Sequence, residues 1–583
     1  MTVLERLLSD FDRARDNQQV MYGRVKDWRE TIYLKEPNGS STDVWTGKYK
    51  SIMKMKDIEK VIESSIPSIV EPFVSDEELI SVGSKGGEAG SMIVETLLNE
   101  QWNKEIDSLD FMTDLARVVQ SDGTAIVKVG WRDNNPSVEV IPFEECFIDP
   151  SARTVNDIKF VIQARRVQIQ DIIDNTDWYG KWTYEELSGI VSSEATNNDR
   201  YTGNDNSGYD SNFNYEDGLR QYVDLYEYYG EMEVDGEVKP IVGIFSGSML
   251  LNVMDSPYPD SWYGIPFDLA QYTKRPFSIY GDSVAELIRD YQSIRTGFMR
   301  AILENAQNAN SNQKWNKKGA LDVMNKKKMM TGLDFETNVD PERAIVQGEF
   351  NQVNPSVFQI MEQMKVEQEE LTGIGRLNSG LDPRALNSGT SATAARLVQT
   401  NADKRLLMIV RNIASMMKRV FSKMLDLNMM MLEPTVINVY GENIVIDRNM
   451  LIGSKYNLEV SVNTAGTKDA QNQNILMMVQ QLQGNYQVIP GSDKMISQLL
   501  AKLASNLKLN NIAKEMKMTS MGMNQEQQMM KQQQQQIQDL QMQLAQQEQQ
   551  AKIAKDNSAA ALNMAKAETE QVKAMTEAYG LND

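Results

Sequence analysis

The sequence predicts a helix-rich α+β chain, on three observations. Segments at both ends repeat apolar residues at three- and four-residue steps, the period of a helix. Between about residues 124 and 247 the pattern changes to short β-branched runs separated by turn residues, the signature of strands. At 583 residues, 41% hydrophobic and 24% charged, the chain is long and apolar enough for several domains with a sizeable core.

The elements follow in order. Residues 3–35 read as a helix with Leu4, Leu7, Leu8, Phe11 and Val20 on its apolar face, ended by "EPNGSS". "KDIEKVIESSIPSIVEPF" is a second helix, stopped by Pro72. "SMIVETLLNEQWNKEIDSLDFMTDLARVVQSDG" is one further helical stretch, closing at Gly123. "TAIVKVGW", "SVEVIPFEECFIDP" and "DIKFVIQARRV" are strands, and Asp235-Gly236 marks a hairpin between two more. The Asn- and Gly-rich segment 192–218 is expected to be a mobile loop.

"SIYGDSVAELIRDYQSIRTGFMRAILENAQNAN" is the clearest helix. Asp282 or Ser283 caps it, Glu286 supports a capping box, and Val284, Leu287, Ile288, Tyr291, Ile294, Phe298 and Ile302 form its stripe. A lysine-rich insert follows, then a second helix in "SVFQIMEQMKVEQEELTGI". A glycine-rich loop leads into a helix capped by Thr390 or Ser391 and ending before Pro434, roughly 60 Å long at about 1.5 Å per residue. "TVINVYGENIVI" and "NLEVSVNT" return to strand pattern, and from "TKDAQNQN" onward the chain reads helical.

Several chemistries find no residues to carry them. The chain has no histidine, which removes His-based triads and His-ligated zinc. Its one cysteine, Cys146, cannot form an intrachain disulfide and reads as a small buried hydrophobe. No GxxxxGK[ST] phosphate loop occurs; "GSKGGEAG" at 83–90 and "GIGRLNSG" at 373–380 read as turns. Glu144/Glu145 and Glu369/Glu370 read as ordinary solvated charges, and no metal-ligand cluster stands out, so neither an enzyme nor a cofactor is expected. No apolar run reaches the roughly eighteen residues of a membrane span, and the charged, amphipathic start does not read as a signal peptide.

The net charge of −21 argues against tight wrapping of nucleic acid and fits a surface along which DNA slides. Two basic stretches break this background. One carries Lys314, Lys317, Lys318, Lys326, Lys327 and Lys328 against Asp322, and suits an interface or a DNA-facing role as well as a solvated surface. The other carries Lys404, Arg405, Arg411, Lys418, Arg419 and Lys423 and reads mainly as solubilising helix faces and neutralisation of acidic neighbours.

The order of parts resembles the portal proteins of short-tailed bacteriophages. "YGDSVAELIRDYQ", "ILEN" and "TGIGRLNSGLDPRALN" carry the resemblance, supported by "IPFEECFIDPSA", over about residues 20–470. It implies a non-enzymatic dodecameric ring in the virion, at one capsid vertex, assembled in the host cytoplasm, with double-stranded DNA passing through its centre in packaging and ejection. Residues 1–279 would be mainly wing, 280–309 and 355–371 the two stem helices, 310–354 the clip, and 372–390 the tunnel loop with Arg376, Asn378, Leu381, Asp382, Arg384 and Asn387. Residues 391–467 would be a long kinked helix and returning wing strands, 468–520 the crown, and 521–583 a barrel helix. The implied partners are other copies of the chain, the terminase motor at the clip lysines, head-to-tail adaptors or tail proteins, and coat and scaffolding proteins.

In the Gln/Met-rich tail, Met530, Ile537, Leu540 and Leu544 fall on a weak heptad stripe, too polar for a strong two-stranded zipper. That pattern predicts a helix roughly 85 Å long that gains stability from neighbours in a ring. Two other readings are a coiled-coil scaffold or other virion structural protein, which leaves the strand-rich middle unexplained, and a nuclease or polymerase accessory enzyme, which needs a carboxylate cluster the sequence lacks.

Overall fold

The computed structural model describes residues 2–34, 53–75, 79–84, 88–194, 215, 217–234, 236–247, 249–310, 314–331, 333–340, 345–347, 353–374, 392–439, 442–451, 456–460, 465–484, 492–506, 512 and 516. Helices α1 (Val3–Ile32) and α2 (Asp57–Val74) lead to strand β1 (Ile80–Ser84) and helices α3 (Glu88–Glu100) and α4 (Ser108–Ser121). Strands β2 (Thr124–Arg132), β3 (Asn135–Ile141), β4 (Cys146–Ile148) and β5 (Phe160–Gln168) precede three short helices, α5–α7 (Ile169–Asp174, Thr176–Tyr179, Tyr184–Glu194). Then come β6 (Tyr222–Val234), β7 (Glu237–Ser246), β8 (Met249–Asp255) and β9 (Phe267–Gln271). The α+β class expected from the sequence is the class observed.

Two antiparallel sheets form the centre, one of order β3-β2-β9 and one of order β4-β5-β6-β7-β8. β6 shows why both faces of the larger sheet are covered. Tyr226, Tyr228 and Met232 alternate onto one face, under Leu7, Phe11 and Ala14 of α1. Val223, Leu225 and Tyr229 alternate onto the other, which joins the main core. The hairpin expected at Asp235-Gly236 is present: Val234 pairs with Glu237 and Gly236 has φ +87°, while Asp235 lies outside the described residues.

Three helix expectations change. The buried stripe of α1 is Leu7, Phe11, Ala14, Gln18, Val25, Trp28 and Ile32, and Val20 is 72% exposed because it falls on the opposite side of the turn. Pro72 does not stop α2, which runs through Pro67 and Pro72 to Val74. An internal proline costs about 3 kcal/mol, but burying Ile58, Val61, Ile62, Ile66, Ile69, Val70 and Phe73, at roughly 1.5–3 kcal/mol each, outweighs two of them. The stretch read as one helix before Gly123 is broken at a π turn, Gln101–Glu105, and restarts on the Asp107 cap. Trp102 is fully buried there and donates to the Phe73 carbonyl at 3.1 Å, while Gln101 pairs its side-chain amide with that of Asn428.

Helix α8 (Val284–Asn310) leaves this body, followed by β10 (Lys314–Asn316), α9 (Val323–Thr331), β11 (Ile345–Gln347) and α10 (Pro355–Thr372). The 40-residue α11 (Ala392–Met431) packs across β9, β2 and β3. Its basic stretch is not simply a solvated face. Arg419 donates to Asp268 Oδ1 at 2.8 Å, and Lys423 lies 3.9 Å from Oδ2 while donating to the Ile265 and Phe267 carbonyls. Asp268 is buried, so these cations pin the long helix to β9. Strands β12 (Thr435–Val439) and β13 (Glu442–Ile446) pair with each other; after α12 (Arg448–Leu451), β14 (Tyr456–Val460) returns to pair with β1. The remainder forms a second compact unit beginning at Lys468. There, helices α13 (Ala465–Gly484) and α14 (Ser492–Asn506) share a core of Ile475, Val479, Leu482, Ile496, Leu500 and Leu503.

The Glu144/Glu145 pair is also not simply solvated. Glu144 accepts from Arg29, which holds Asp122 at 2.9 and 2.6 Å as well. The Glu145 carboxyl is pushed up to about 7, first by burial and then by Glu144, with Arg165 pulling the other way. Its folded value lies above its ordinary 4.5, so the native state holds the extra proton between those values and stability falls as pH rises through them. Glu145→Gln should therefore raise the Tm at pH 8, by the equivalent of roughly 1–3 kcal/mol after allowing for partial exposure, and leave it nearly unchanged at pH 4. Calorimetry at both pH values checks this; equal Tm gains at the two would show that the carboxyl does not titrate in that window.

Candidate functional site

The root of α8 is a tightly constrained point of the body. Gly123 turns the chain from α4 into β2 with φ +74°, and a Cβ there would meet the Gly281 carbonyl at 2.6 Å. Two backbones therefore meet at contact distance, which only glycine permits. Gly281 donates to Thr124 Oγ1 at 2.8 Å, and Ser283 Oγ donates to the Gln120 carbonyl at 2.8 Å. Ser283 also caps α8, accepting from the Ala285 N–H at 3.0 Å. Glu286 faces α1 instead of closing a capping box: it accepts from Trp28 Nε1 at 2.8 Å and lies 3.7 Å from Arg24.

The next turns of α8 are held from the side. Arg289 reaches Asp27 at 3.1 Å, Gln292 donates to the Thr31 carbonyl and accepts from the Ile58 N–H, and Arg295 pairs with Asp57 at 2.6 Å. The apolar stripe read from the sequence is thus only partly a core stripe. Val284 and Ile288 are fully buried, whereas Leu287 and Ile294 are 37% and 44% exposed; the contacts to α1 and α2 come from Glu286, Arg289, Gln292 and Arg295 instead. α10 packs along α8. It starts on an Asn354 cap with Pro355 in its first turn and stops at Gly373, φ +71°.

The insert between these helices is a small folded unit. β10 pairs antiparallel with β11, Trp315 opposite Val346. Asp322 caps α9, its Oδ1 accepting from Asn325 N–H at 2.7 Å, and Asn325 Oδ1 accepts in turn from Glu336 N–H at 3.2 Å. The irregular segment 333–340 after α9 is thereby held beside it, with Asn338 N–H donating to the carbonyl of the buried Ala320 at 2.9 Å.

Of the predicted clip residues, Lys317, Lys318, Lys326, Lys327 and Lys328 are exposed, and among the described residues none pairs with a carboxylate. Lys314 sits in β10. Exposed Val323, Met324 and Leu333 lie among them. The predicted tunnel residues Arg376, Asn378, Leu381, Asp382, Arg384 and Asn387, and the barrel residues Met530, Ile537, Leu540 and Leu544, lie outside the described residues. Among the described residues no group of three His, Cys, Asp or Glu side chains is placed to hold a metal ion, and no helix is long and apolar enough to cross a membrane. Cys146 is buried, and burial pushes its thiol far above the usual range.

Sequence reasoning allowed for neutralisation of acidic neighbours along this helix but did not identify buried Asp268 as the partner of Arg419 and Lys423. A charged helix face looks the same in sequence whether it meets water or a buried carboxylate.

A mixed body fixes the root of one long helix, a second helix packs against it, and a basic folded insert lies between the two in sequence. The model of the phage SU10 portal protein family matches residues 3–135 and 132–552, and the chain belongs to that family, whose members are structural components. Similar solved chains occur in the virion of a native gene transfer agent particle (TM-score 0.35, 10% identity, 81% of this chain and 98% of that one). Another is in the neck of an empty gene transfer agent particle (TM-score 0.36, 11% identity, 80% and 97%).

The Asp322 cap supports the turn that carries Lys326–Lys328. Asp322→Ala should cost α9 about 1 kcal/mol, which native-state amide exchange would show as several-fold faster exchange at Asn325–Lys327 with the β2 and β6 amides unchanged. Unchanged exchange in α9 would mean that the cap is dispensable.

Proposed function

We propose that the chain forms a dodecameric ring at one capsid vertex, a passive conduit through which double-stranded DNA is packaged and ejected. The family match across most of the chain is the observation that carries this reading. In it, α8 and α10 are the stem, the insert 310–354 is the clip, the strand-rich body with the returning strands is the wing, and 468–520 and 521–583 are the crown and barrel. The terminase motor supplies the energy and docks at the clip; head-to-tail adaptors replace it after packaging, and coat and scaffolding proteins meet the wing.

The net charge of −21 suits a conduit, because like charge keeps phosphates from adhering to the wall. The insert is where that rule is locally relaxed. Its lysines are exposed, and its apolar side chains suit a protein partner better than a phosphate backbone. The candidate tunnel residues at 376–387 are assigned to the loop facing DNA on the same reading.

Negative-stain microscopy of the purified full chain tests the ring: particles with a central hole are expected, and a monodisperse monomer at high concentration, with no ring in capsid-assembly extracts, refutes it. For the clip, the triple variant Lys326→Glu, Lys327→Glu, Lys328→Glu should still form rings. Packaging in an in vitro assay should fall at least tenfold, and the loss for single reversals should shrink as ionic strength rises. Normal packaging together with normal tail attachment in the triple variant would remove the docking role from this insert.

A further inference from the structure

The loop between β9 and α8 displays an aromatic side chain in an unfavourable backbone conformation. Phe277 has φ +61° and is 84% exposed. It follows Pro276 in a turn closed by Ser278 N–H donating to the Arg275 carbonyl at 3.4 Å. Such a turn takes glycine or asparagine at this position, and a bulky residue there is strained. The strain is held in place by a well-built loop. Thr273 bridges Asp282, Arg275 pairs with Asp282 at 2.5 Å, and Gln271 donates to the Ser278 carbonyl at 3.0 Å. A rigid loop that holds a phenyl ring out in water gives the isolated chain nothing in return.

At the other end of β9 lies the matching shape. A cavity of about 350 Å³ has an apolar wall with Ile158, Trp262 and Phe267, and a charged wall made by the Asp268–Arg419–Lys423 clamp. That is near the lower end for small-molecule pockets, which run from roughly 300 Å³, and it suits one aromatic side chain with part of its loop. Asp157 and Asp260, exposed and adjacent to lining residues, flank it, and among the described residues neither has an ion-pair partner. Lys274, next to the knob, is exposed and likewise without an ion pair among the described residues. The five-residue β9 separates knob from cavity by roughly 17 Å, so one surface cannot pair with itself at a single point. Knob and cavity on distinct sites of one chain make a head-to-tail contact, the kind that closes a ring.

We propose that Phe277 of one subunit inserts into the Trp262–Tyr263 cavity of the next, with Lys274 facing Asp157 and Asp260, as an anchor of the subunit interface. This rests on the ring reading and names a contact within it. The aromatic ring is the buried anchor, and the charges at the rim set orientation and rate.

The test is cross-linking of the full chain with a short bis-maleimide. Lys274→Cys and Ser261→Cys in one chain should give a ladder of linked oligomers. Mixing the two single variants should give dimers only, and each single variant alone should give none; native Cys146 is buried and stays silent. Rings visible by microscopy but no cross-link overturn the contact while leaving the ring reading intact. A wild-type chain that forms no rings overturns both. Phe277→Asn, which accepts the left-handed turn, should raise the concentration needed for ring assembly at least tenfold without lowering the Tm of the unassembled chain. Assembly at the wild-type concentration, or a lower Tm accompanying the loss, would show that Phe277 is not an intersubunit anchor.

Discussion

The carboxylate of Glu227 is the constraint on which the body depends. It is fully buried in the middle of β6, placed there by the same alternation that sends Val223, Leu225 and Tyr229 inward. Lys128 from β2 lies 3.3 Å from one oxygen and Arg165 from β5 lies 3.4 Å from the other; Tyr229 donates at 2.6 Å and Trp178 at 3.3 Å. Burial alone would raise the Glu227 pKa, but the two cations and the two donors reverse the direction and hold it below the usual value. Burial lowers that of Lys128, with Glu227 opposing. Desolvating such a pair costs several kcal/mol, so it is weak evidence for net stability; removing one partner, however, would cost about 3–5 kcal/mol by stranding the other. What the network supplies is registry. It joins the three-stranded sheet, through β2, to the five-stranded sheet, through β5 and β6, at one angle and one offset.

From that junction the position of the long helices follows. β2 is flanked by β9 in its sheet, and Lys128 lies over the Phe267 ring at 5.4 Å. The next residue of β9, Asp268, is the one that Arg419 and Lys423 seize, so α11 takes its place from the same sheet. The other end of β9 runs through the Phe277 loop into α8, whose root is locked by the Gly123–Gly281 approach. A chain of short polar contacts thus transmits the geometry of the sheets to two helices, and Leu287 and Ile294 beyond the root of α8 stay exposed.

Much of this was legible in the sequence where a local rule had no competitor. Gly123 reads as a helix stop and is one; the Asp-Gly hairpin, the cap at Ser283 and the strand returning at 456 follow turn and period rules. The misreadings share a cause, which is long-range burial. Pro72 stops a helix in isolation, but the face around it is buried and the helix continues. Glu145 and Arg419 look like surface charges until partners more than a hundred residues away, or a neighbouring carboxylate in a half-buried turn, are in place. Glu227 offered only a charge inside a tyrosine-rich strand run, which does not distinguish an edge from a buried pair.

The basic insert shows how narrow a window can be. Counted over its lysine-rich segment, Lys317, Lys318 and Lys326–Lys328 face only Asp322. In three dimensions the irregular segment 333–340 is held beside α9 by the Asn325–Glu336 bond, and it brings exposed Asp334, Glu336 and Asp340 back to the same unit. A surface of mixed sign with exposed Val323, Met324 and Leu333 is a poor general holder of phosphates, whose binding grows with uncompensated positive charge. It is a good surface for a protein that must dock in one orientation, because alternating signs fix register and apolar side chains supply contact area. Charges more than about 8 Å apart are screened from one another at physiological salt, so the acidic chain around it does not cancel that pattern. The insert therefore combines mixed charge with exposed apolar area, while the chain as a whole carries a net charge of −21.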